Sequence, residues 1–260
     1  SDDGHLGRVT FSCFSTERKE KYRIATLFTD EGKVEKVPLN ETEGAAHIWQ
    51  GVKNGLALQK AGKNVLPMQL KNGRLVSEFV QGQSLEEVVL EAVERKNKFE
   101  VCRILDMVYQ EILSSSQHIA AEENIFYTME IDKEVNADKY GPILKVGFID
   151  MILRNAFYID GNIQWFDQEW VLECVPAGYV FYRLLIALYQ SFPYVDKVLP
   201  VGEIANKYGL LAAWNEYNMM ENLFADMVID RAHVAESNVY RGGDRTACVN
   251  NIQKLLGISP

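Results

Sequence analysis

The first third of the chain alternates short apolar runs with turn residues at a spacing that suits strands. Arg23-Ile24-Ala25-Thr26-Leu27-Phe28 is followed by the polar stretch Asp30-Glu31-Gly32-Lys33 and then by Val34-Glu35-Lys36-Val37. This pattern predicts a hairpin, with Gly32 free to take the turn conformation that side chains resist. Pro38 ends the second strand. Asn40 then precedes a helical pattern carrying Glu41 and Glu43 in its first turn, where carboxylates suit the helix dipole. That helix is expected to run towards Ala61 and to stop at Gly62. Two further strands, over 65–70 and 75–80, flank a turn at Lys71-Asn72-Gly73. The order β-β-α-β-β describes a small lobe with one helix.

Past Gly82 the periodicity becomes helical. Ser84 is placed to cap a segment with Glu86 and Glu87 in its first turn, and Val101, Leu105, Val108 and Ile112 then fall on one face of a buried helix. One β island interrupts this region. Ala156-Phe157-Tyr158-Ile159 and Asn162-Ile163-Gln164-Trp165-Phe166 flank Asp160-Gly161, among the strongest two-residue hairpin signals. From Pro176 onward the pattern is helical again, and Trp214, Tyr217, Met219, Met220 and Phe224 are expected in the core. The chain shows no internal repeat or low-complexity linker, and Arg241-Gly242-Gly243-Asp244 reads as a loop.

Composition narrows the function classes. With 27 Lys and Arg against 36 Asp and Glu, the formal charge is −9, which argues against a general nucleic-acid binder because phosphate neutralisation needs clustered cations. The 260 residues, 47% hydrophobic, are enough for one large domain or two small ones without staples. Cys13, Cys102, Cys174 and Cys248 form no CxxC pair and are expected as reduced thiols, and the scattered histidines offer no His-Cys metal site. The start, Ser1-Asp2-Asp3-Gly4, has neither a basic nor an apolar region, so no signal peptide is expected. The greasiest run, 175–189, contains Arg183 and is too short to span a bilayer. A cytoplasmic location is the resulting expectation.

The β island also holds the chemistry. Asp150 and Asn155 stand just before the hairpin, and Asp167 and Glu169 just after it. A hairpin returns the chain to its starting edge, so these four side chains should converge at one end of the two strands. Their neighbours are apolar: Phe148, Ile149, Met151, Ile152 and Leu153 before, Trp165, Phe166 and Trp170 after. Carboxylates in such surroundings need a partner, and a divalent cation is the obvious one.

This constellation resembles the protein-kinase-like superfamily, in its branch of small-molecule and sugar kinases that includes aminoglycoside phosphotransferases and choline kinases. The resemblance covers nearly the whole chain. It implies an α+β, bilobal protein-kinase-like fold, with a β-rich N-lobe over residues 1–82 and a larger helical C-lobe carrying a β-hairpin over residues 83–260. Asp150-Met151-Ile152-Leu153-Arg154-Asn155 is similar to the catalytic loop, whose Asp accepts the substrate hydroxyl proton and whose Asn holds Mg²⁺. Asp167-Gln168-Glu169 is similar to the metal-binding segment in its Asp-x-Glu form, making Asp167 and Glu169 metal ligands with Asn155. The run from Val76 to Leu85 is similar to the hinge, where the backbone at Glu78 and Val80 would bond adenine. Lys36 looks like the phosphate-pairing lysine, with Glu43 its partner and Glu41 a rival. Arg154 is read either as offsetting charge on the transferred group or as a salt bridge.

The chain departs from the pattern at three places. Phe148 stands where a His is common, Glu169 replaces a Gly, and Phe14-Ser15-Thr16-Glu17-Arg18-Lys19 replaces a glycine-rich phosphate loop. Ser15, Thr16 and Arg18 would meet phosphate there instead. A narrower resemblance joins Phe14 to Arg18, Lys36 to His47, Phe166 to Trp170 and Pro176 to Arg183 with kinase-like domains attached to bacterial methyltransferases of surface-polysaccharide (O-antigen) synthesis. It implies one domain of a longer, methyltransferase-containing protein. The expected function is an ATP- and Mg²⁺-dependent phosphotransferase acting on a hydroxyl of a sugar or glycan end. The alternative is a non-catalytic kinase-like module that binds nucleotide or regulates a methyltransferase. Partners are expected to be a small-molecule or glycan acceptor, with no nucleic acid and no transmembrane segment.

Overall fold

A computed structural model describes residues 7–40 and 42–234, so Glu41, Cys248 and the loop at 241–244 lie outside the described residues. Five strands build an antiparallel sheet in the order β1-β2-β3-β5-β4. They are β1 (Val9–Phe14), β2 (Ile24–Thr29), β3 (Lys33–Pro38), β4 (Met68–Lys71) and β5 (Arg74–Glu78). Gly32, at φ +70°, makes the β2–β3 turn, and the register sets Thr26 opposite Lys36. The helix α1 (Glu43–Lys60) begins where the Asn40 side-chain oxygen accepts from the backbone N–H groups of Thr42 and Glu43 at 3.1 and 3.0 Å. Ile48 and Val52 from α1 join Ile24 and Leu75 in a small core under the sheet, with Met68 packed against it.

Two strand expectations shift. Pairing at β4 starts at Met68 rather than at Val65, since Pro67 has no N–H to give the ladder. Val65 instead bridges Trp165, and the Leu66 N–H donates to the Trp165 carbonyl at 2.8 Å. The ladder of β5 ends at Glu78, after which the Phe79 N–H reaches the Gly32 carbonyl at 2.8 Å.

The rest of the described chain is mainly helical. It comprises α2 (Leu85–Glu94), α3 (Lys98–Leu113), β6 (His118–Ile119), α4 (Ile125–Thr128), α5 (Ala137–Tyr140), β7 (Ile143–Phe148), β8 (Ala156–Ile159), β9 (Asn162–Trp165), β10 (Val171–Pro176), α6 (Ala177–Ser191), α7 (Val195–Val198), α8 (Val201–Lys207) and α9 (Trp214–Val228). Ser84 and Glu87 form a capping box on α2. The four apolar residues counted on α3 are fully buried in a large core that runs from Leu58 to Val228. Tyr217, Met220 and Phe224 join that core, but Met219 is half exposed because it points off the other face of α9. Cys13, Cys102 and Cys174 are free thiols, Cys174 in strand β10. No helix among the described residues is long and apolar enough to cross a membrane.

Two pieces of this topology position the site. β7 lies between β10 and β6, with Phe148 opposite Val171, so the chain leaving β7 and the chain entering β10 run side by side. The β8–β9 hairpin spans the gap between them, turning at Asp160 and Gly161 with φ +51° and +80°. These are the left-handed values that a type I′ turn requires.

Candidate active site

Because β7 and β10 are paired, the segments 149–155 and 166–170 meet backbone to backbone. The Ile149 N–H donates to the Trp170 carbonyl at 3.2 Å, and the Phe166 N–H to the Asn155 carbonyl at 2.9 Å. The Asp150 carboxylate accepts the Trp170 N–H through Oδ2 at 2.8 Å. The Asp150 carbonyl receives two side-chain amides at 3.2 Å each, from Asn155 and from Gln168. Asp150, Asn155 and Asp167 are thereby brought together. Asp167 itself sits at φ +57°, a conformation that costs a non-glycine residue about 1 kcal/mol and is found where surrounding structure imposes it.

Lys36 enters from β3. Its ammonium pairs with Asp167 and donates to Glu169 Oε1 at 2.8 Å. Glu169 Oε2 pairs with Arg18 from the β1–β2 loop and lies 3.3 Å from His47 Nε2 on α1. The Asn54 side chain donates to the Glu169 carbonyl at 3.0 Å. Burial on its own would raise the Glu169 carboxyl, but Lys36, the His47 hydrogen bond and Arg18 hold it well below the usual carboxylate range. Asp167 goes the other way. Burial raises it, Lys36 opposes, and the like charge of Glu169 adds to the rise. Burial would lower Lys36, yet the two carboxylates hold it above the ordinary lysine value.

The partner of Lys36 is thus Asp167 with Glu169, not Glu43. Glu43 is exposed in the first turn of α1, its N–H on Asn40. The reason is packing. α1 lies against the backbone of 168–169, with the Asn54 side chain on the Glu169 carbonyl and Gly51 facing the same segment, where a Cβ would make only ordinary contact at 3.9 Å from the Gln168 carbonyl oxygen and the Glu169 Cα. That approach carries His47 into the cleft and leaves Glu43 outside it. Glu169, expected as a metal ligand, has both carboxylate oxygens engaged by Lys36, Arg18 and His47. Among the described residues no group of three or more His, Cys, Asp or Glu converges as a metal cluster.

Asp150 is only 9% exposed. Burial pushes its carboxyl up to about 7, against the pull of Arg183 and the Trp170 N–H and with the push of Glu169 and Asp167. Arg183, on α6, stands 3.9 Å from Asp150 Oδ1, donates to the Ile149 carbonyl at 2.8 Å and to Glu221 at 2.8 Å, and lies 4.4 Å above the Phe224 ring. Neither Arg183 nor Glu221 was expected at the site from the sequence. The available signal was Arg183 itself, a charge inside the apolar run 175–189, where only a partnered cation is stable. Arg154, on the short turn Leu153–Asn155, is exposed.

Between the sheet and the β8–β9 hairpin lies a cavity of about 360 Å³ whose walls include Val34, Leu75, Phe79, Val80, Phe157 and Phe166. Phe157 and Phe166 stack with centroids 4.6 Å apart. Glu78 also lines this cavity, its carboxylate paired with Lys33, while Lys36 and Asp167 close one side. A second cavity of about 200 Å³ adjoins through Lys36 and Asp167 and is bounded by Ser15, Glu17, Arg18 and Glu169. The arrangement is an apolar slot leading to a charged chamber, with Asp150 close to the same segment.

No protein-family model matches the chain, and no curated protein matches it. Among solved structures it is similar to the streptomycin–ATP–APH(2")-IIa ternary complex, at 10% identity over 80% of this chain and 83% of that one, with a TM-score of 0.38. It is also similar to an aminoglycoside phosphotransferase from Alicyclobacillus acidocaldarius subsp. acidocaldarius DSM 446, at 13% identity over 97% and 94% of the two chains, with a TM-score of 0.34.

Proposed function

We propose that this chain is a bilobal, protein-kinase-like phosphotransferase that uses ATP and Mg²⁺ to phosphorylate a hydroxyl of a sugar or glycan end. One observation carries the reading. Lys36 from β3 pairs with Asp167 from the segment after β9 where an apolar slot adjoins a charged chamber, and the Asn155 and Gln168 side chains on the Asp150 carbonyl hold the loop after β7 against that same segment. The slot suits a flat aromatic base, and Glu78 and Val80 line it, so their main chain would bond adenine. The chamber suits phosphates.

The donor set fits a divalent cation. Asp167 is desolvated beside a second carboxylate and shares one lysine with it, so a cation at Asp167 would relieve the local charge. Asn155 and Asp167 would hold Mg²⁺, which supplies charge neutralisation on phosphate oxygens. Glu169 stays with Arg18, His47 and Lys36 and keeps the lysine in the chamber. Lys36 would pair phosphate oxygens. Asp150, with an acidity near neutrality and one oxygen fixed by Trp170, would orient the alcohol and take its proton.

The test is a thermal shift with ATP and Mg²⁺, alone and together. A shift that needs both and disappears in Asp167→Ala supports the reading, and no shift under any condition overturns it. A second reading has one observation in its favour, the internal pairing of Lys36 with both carboxylates. There the domain is a nucleotide-binding module partnering a methyltransferase in a longer cytoplasmic protein of polysaccharide synthesis. ATP binding without turnover across glycan acceptors would select it.

A further inference from the structure

The loop between β1 and β2 forms the outer wall of the charged chamber and carries no glycine from Phe14 to Lys19. Three of its side chains were expected to meet phosphate, and the structure separates them. The Ser15 hydroxyl accepts the Ile24 N–H at 2.8 Å and donates back to the Ile24 carbonyl at 3.2 Å, so its bonding is spent inside the strand opening. Thr16 is exposed and does not line the chamber. Arg18 does line it, across from Lys36, with one terminal nitrogen on Glu169 and its Nε 3.8 Å from Glu17. A guanidinium has five N–H donors, so most of the fork is left for a ligand.

The chamber's charges select that ligand. Lys36 and Arg18 face Glu17, Asp167 and Glu169, so a bare anion meets more negative than positive charge. A polyphosphate carrying its own divalent cation does not.

The same loop is stitched to the segment that leaves α9. The Lys19 N–H donates to the Val228 carbonyl at 2.8 Å and the Asp230 N–H to the Glu17 carbonyl at 2.9 Å, with Arg18 bridged antiparallel to Ile229. Lys19 Nζ donates to the Asp226 carbonyl at 2.6 Å. Arg23 ties the two layers, donating from Nε to the Arg18 carbonyl at 2.8 Å and from Nη2 to Asp230 at 3.3 Å. The residues on both sides of Arg18 are therefore pinned by the segment that leaves α9.

Building on the phosphotransferase reading, we propose that Arg18 is a second phosphate-binding cation. We further propose that residues 226–230 act as a positioning strap holding its loop over the chamber. A glycine-rich loop brings backbone N–H groups to phosphate by being free to bend, whereas this loop brings a side-chain fork by being fixed. Asp230 reaches the chamber through Arg23 and the loop, while its other carboxylate oxygen accepts the His233 N–H at 3.1 Å.

The experiment measures binding of ATP with Mg²⁺ and of adenosine to the full chain by titration calorimetry. Arg18→Gln is expected to weaken ATP–Mg²⁺ by about tenfold or more, the loss of a charge-assisted hydrogen bond, and to leave adenosine within about twofold. Arg18→Lys should recover part of the loss. Asp230→Ala should weaken ATP–Mg²⁺ by a smaller factor, and Arg18→Gln with Asp230→Ala should bind no worse than Arg18→Gln alone. Equal loss for adenosine and ATP, or no loss, overturns Arg18 as a phosphate contact. A fully additive double variant overturns the strap. If the unaltered chain binds adenosine and ATP–Mg²⁺ equally, Arg18 fails while the slot stands. If it binds neither, the phosphotransferase reading falls with it.

Discussion

Asp150 should make the protein less stable as pH rises through the neutral range, and Asp150→Asn should remove that dependence. The carboxyl is buried under Trp170 and pushed up to about 7, from 3.8 when unconfined, mainly by burial. Between those values the folded state holds a proton that the unfolded state has released, so folding is favoured at the acid end and the advantage is lost on alkalinisation. A gap of about three pH units at 1.36 kcal/mol each sets a ceiling of about 4 kcal/mol above neutrality, of which about 2–3 kcal/mol accrues between about pH 5 and about pH 8. Asn can keep the Trp170 N–H bond through its carbonyl, and it cannot ionise. The assay is urea denaturation of both proteins across that range, taking the difference in unfolding free energy at each pH so that other titrating groups cancel. The Asn variant should gain about 2–3 kcal/mol on the parent from the acid to the alkaline end, while losing any phosphotransfer. A difference that stays flat with pH would refute the placement of Asp150 as a desolvated carboxyl, whatever the activity does.

Other outcomes follow from the same contacts. Lys36→Met leaves Asp167 and Glu169 facing each other in a partly buried cleft, so it should cost about 2–3 kcal/mol in denaturant titration and abolish the nucleotide-dependent thermal shift. Glu43→Ala should change stability by no more than about 0.5 kcal/mol and leave that shift intact. A loss matching Lys36→Met would instead make Glu43 the working partner. Gly147→Ala should cost about 1–3 kcal/mol in the same titration, because its Cβ would fall 2.2 Å from a Val175 methyl across the β7–β10 pair that positions Asp150.

The parts of this molecule that local chemistry decides were legible in the sequence, and those that packing decides were not. Asp160-Gly161 names its own turn, because only residues tolerant of positive φ sit there, and with the turn fixed the meeting of Asp150, Asn155, Asp167 and Glu169 follows. Ser84 with Glu87 names a helix start in the same way. By contrast, β1 is not among the expected strands although Val9-Thr10-Phe11-Ser12-Cys13 alternates apolar with polar; it is an edge strand whose residues are all exposed, so its place in the sheet rests on pairing with β2 rather than on a buried face. Met219 looked like core because its neighbours are aromatic, but burial on α9 is set by which turn faces α6, not by composition. The partner of Lys36 was out of reach for the deepest reason. It depends on which face of α1 approaches residues 168–169, and the contacts that fix this, His47 on the Glu169 carboxylate and Asn54 on its carbonyl, join segments far apart in the chain, which no charge pattern encodes.

That approach also decides how the site would work. If Lys36 were paired with a carboxylate on α1, moving the helix would switch the lysine in and out. Here the anchoring carboxylate, Glu169, lies two residues from Asp167 and is held by His47 from α1, Arg18 from the β1–β2 loop and Asn54 through its main chain. On the proposed function Asp167 and Asn155 would hold Mg²⁺, which would offset charge on phosphate oxygens, while Lys36 would keep Glu169 as its counter-charge and turn the donors now on Asp167 to phosphate. On this account Glu169→Gln should retain the fold through its amide contacts yet weaken ATP most when Mg²⁺ is present, since the lysine would then have no carboxylate to hold it once Asp167 is taken. A variant that loses ATP affinity equally with and without Mg²⁺ in titration calorimetry would show instead that Glu169 acts on the nucleotide pocket as a whole, and its role as the lysine's counter-charge would have to be abandoned.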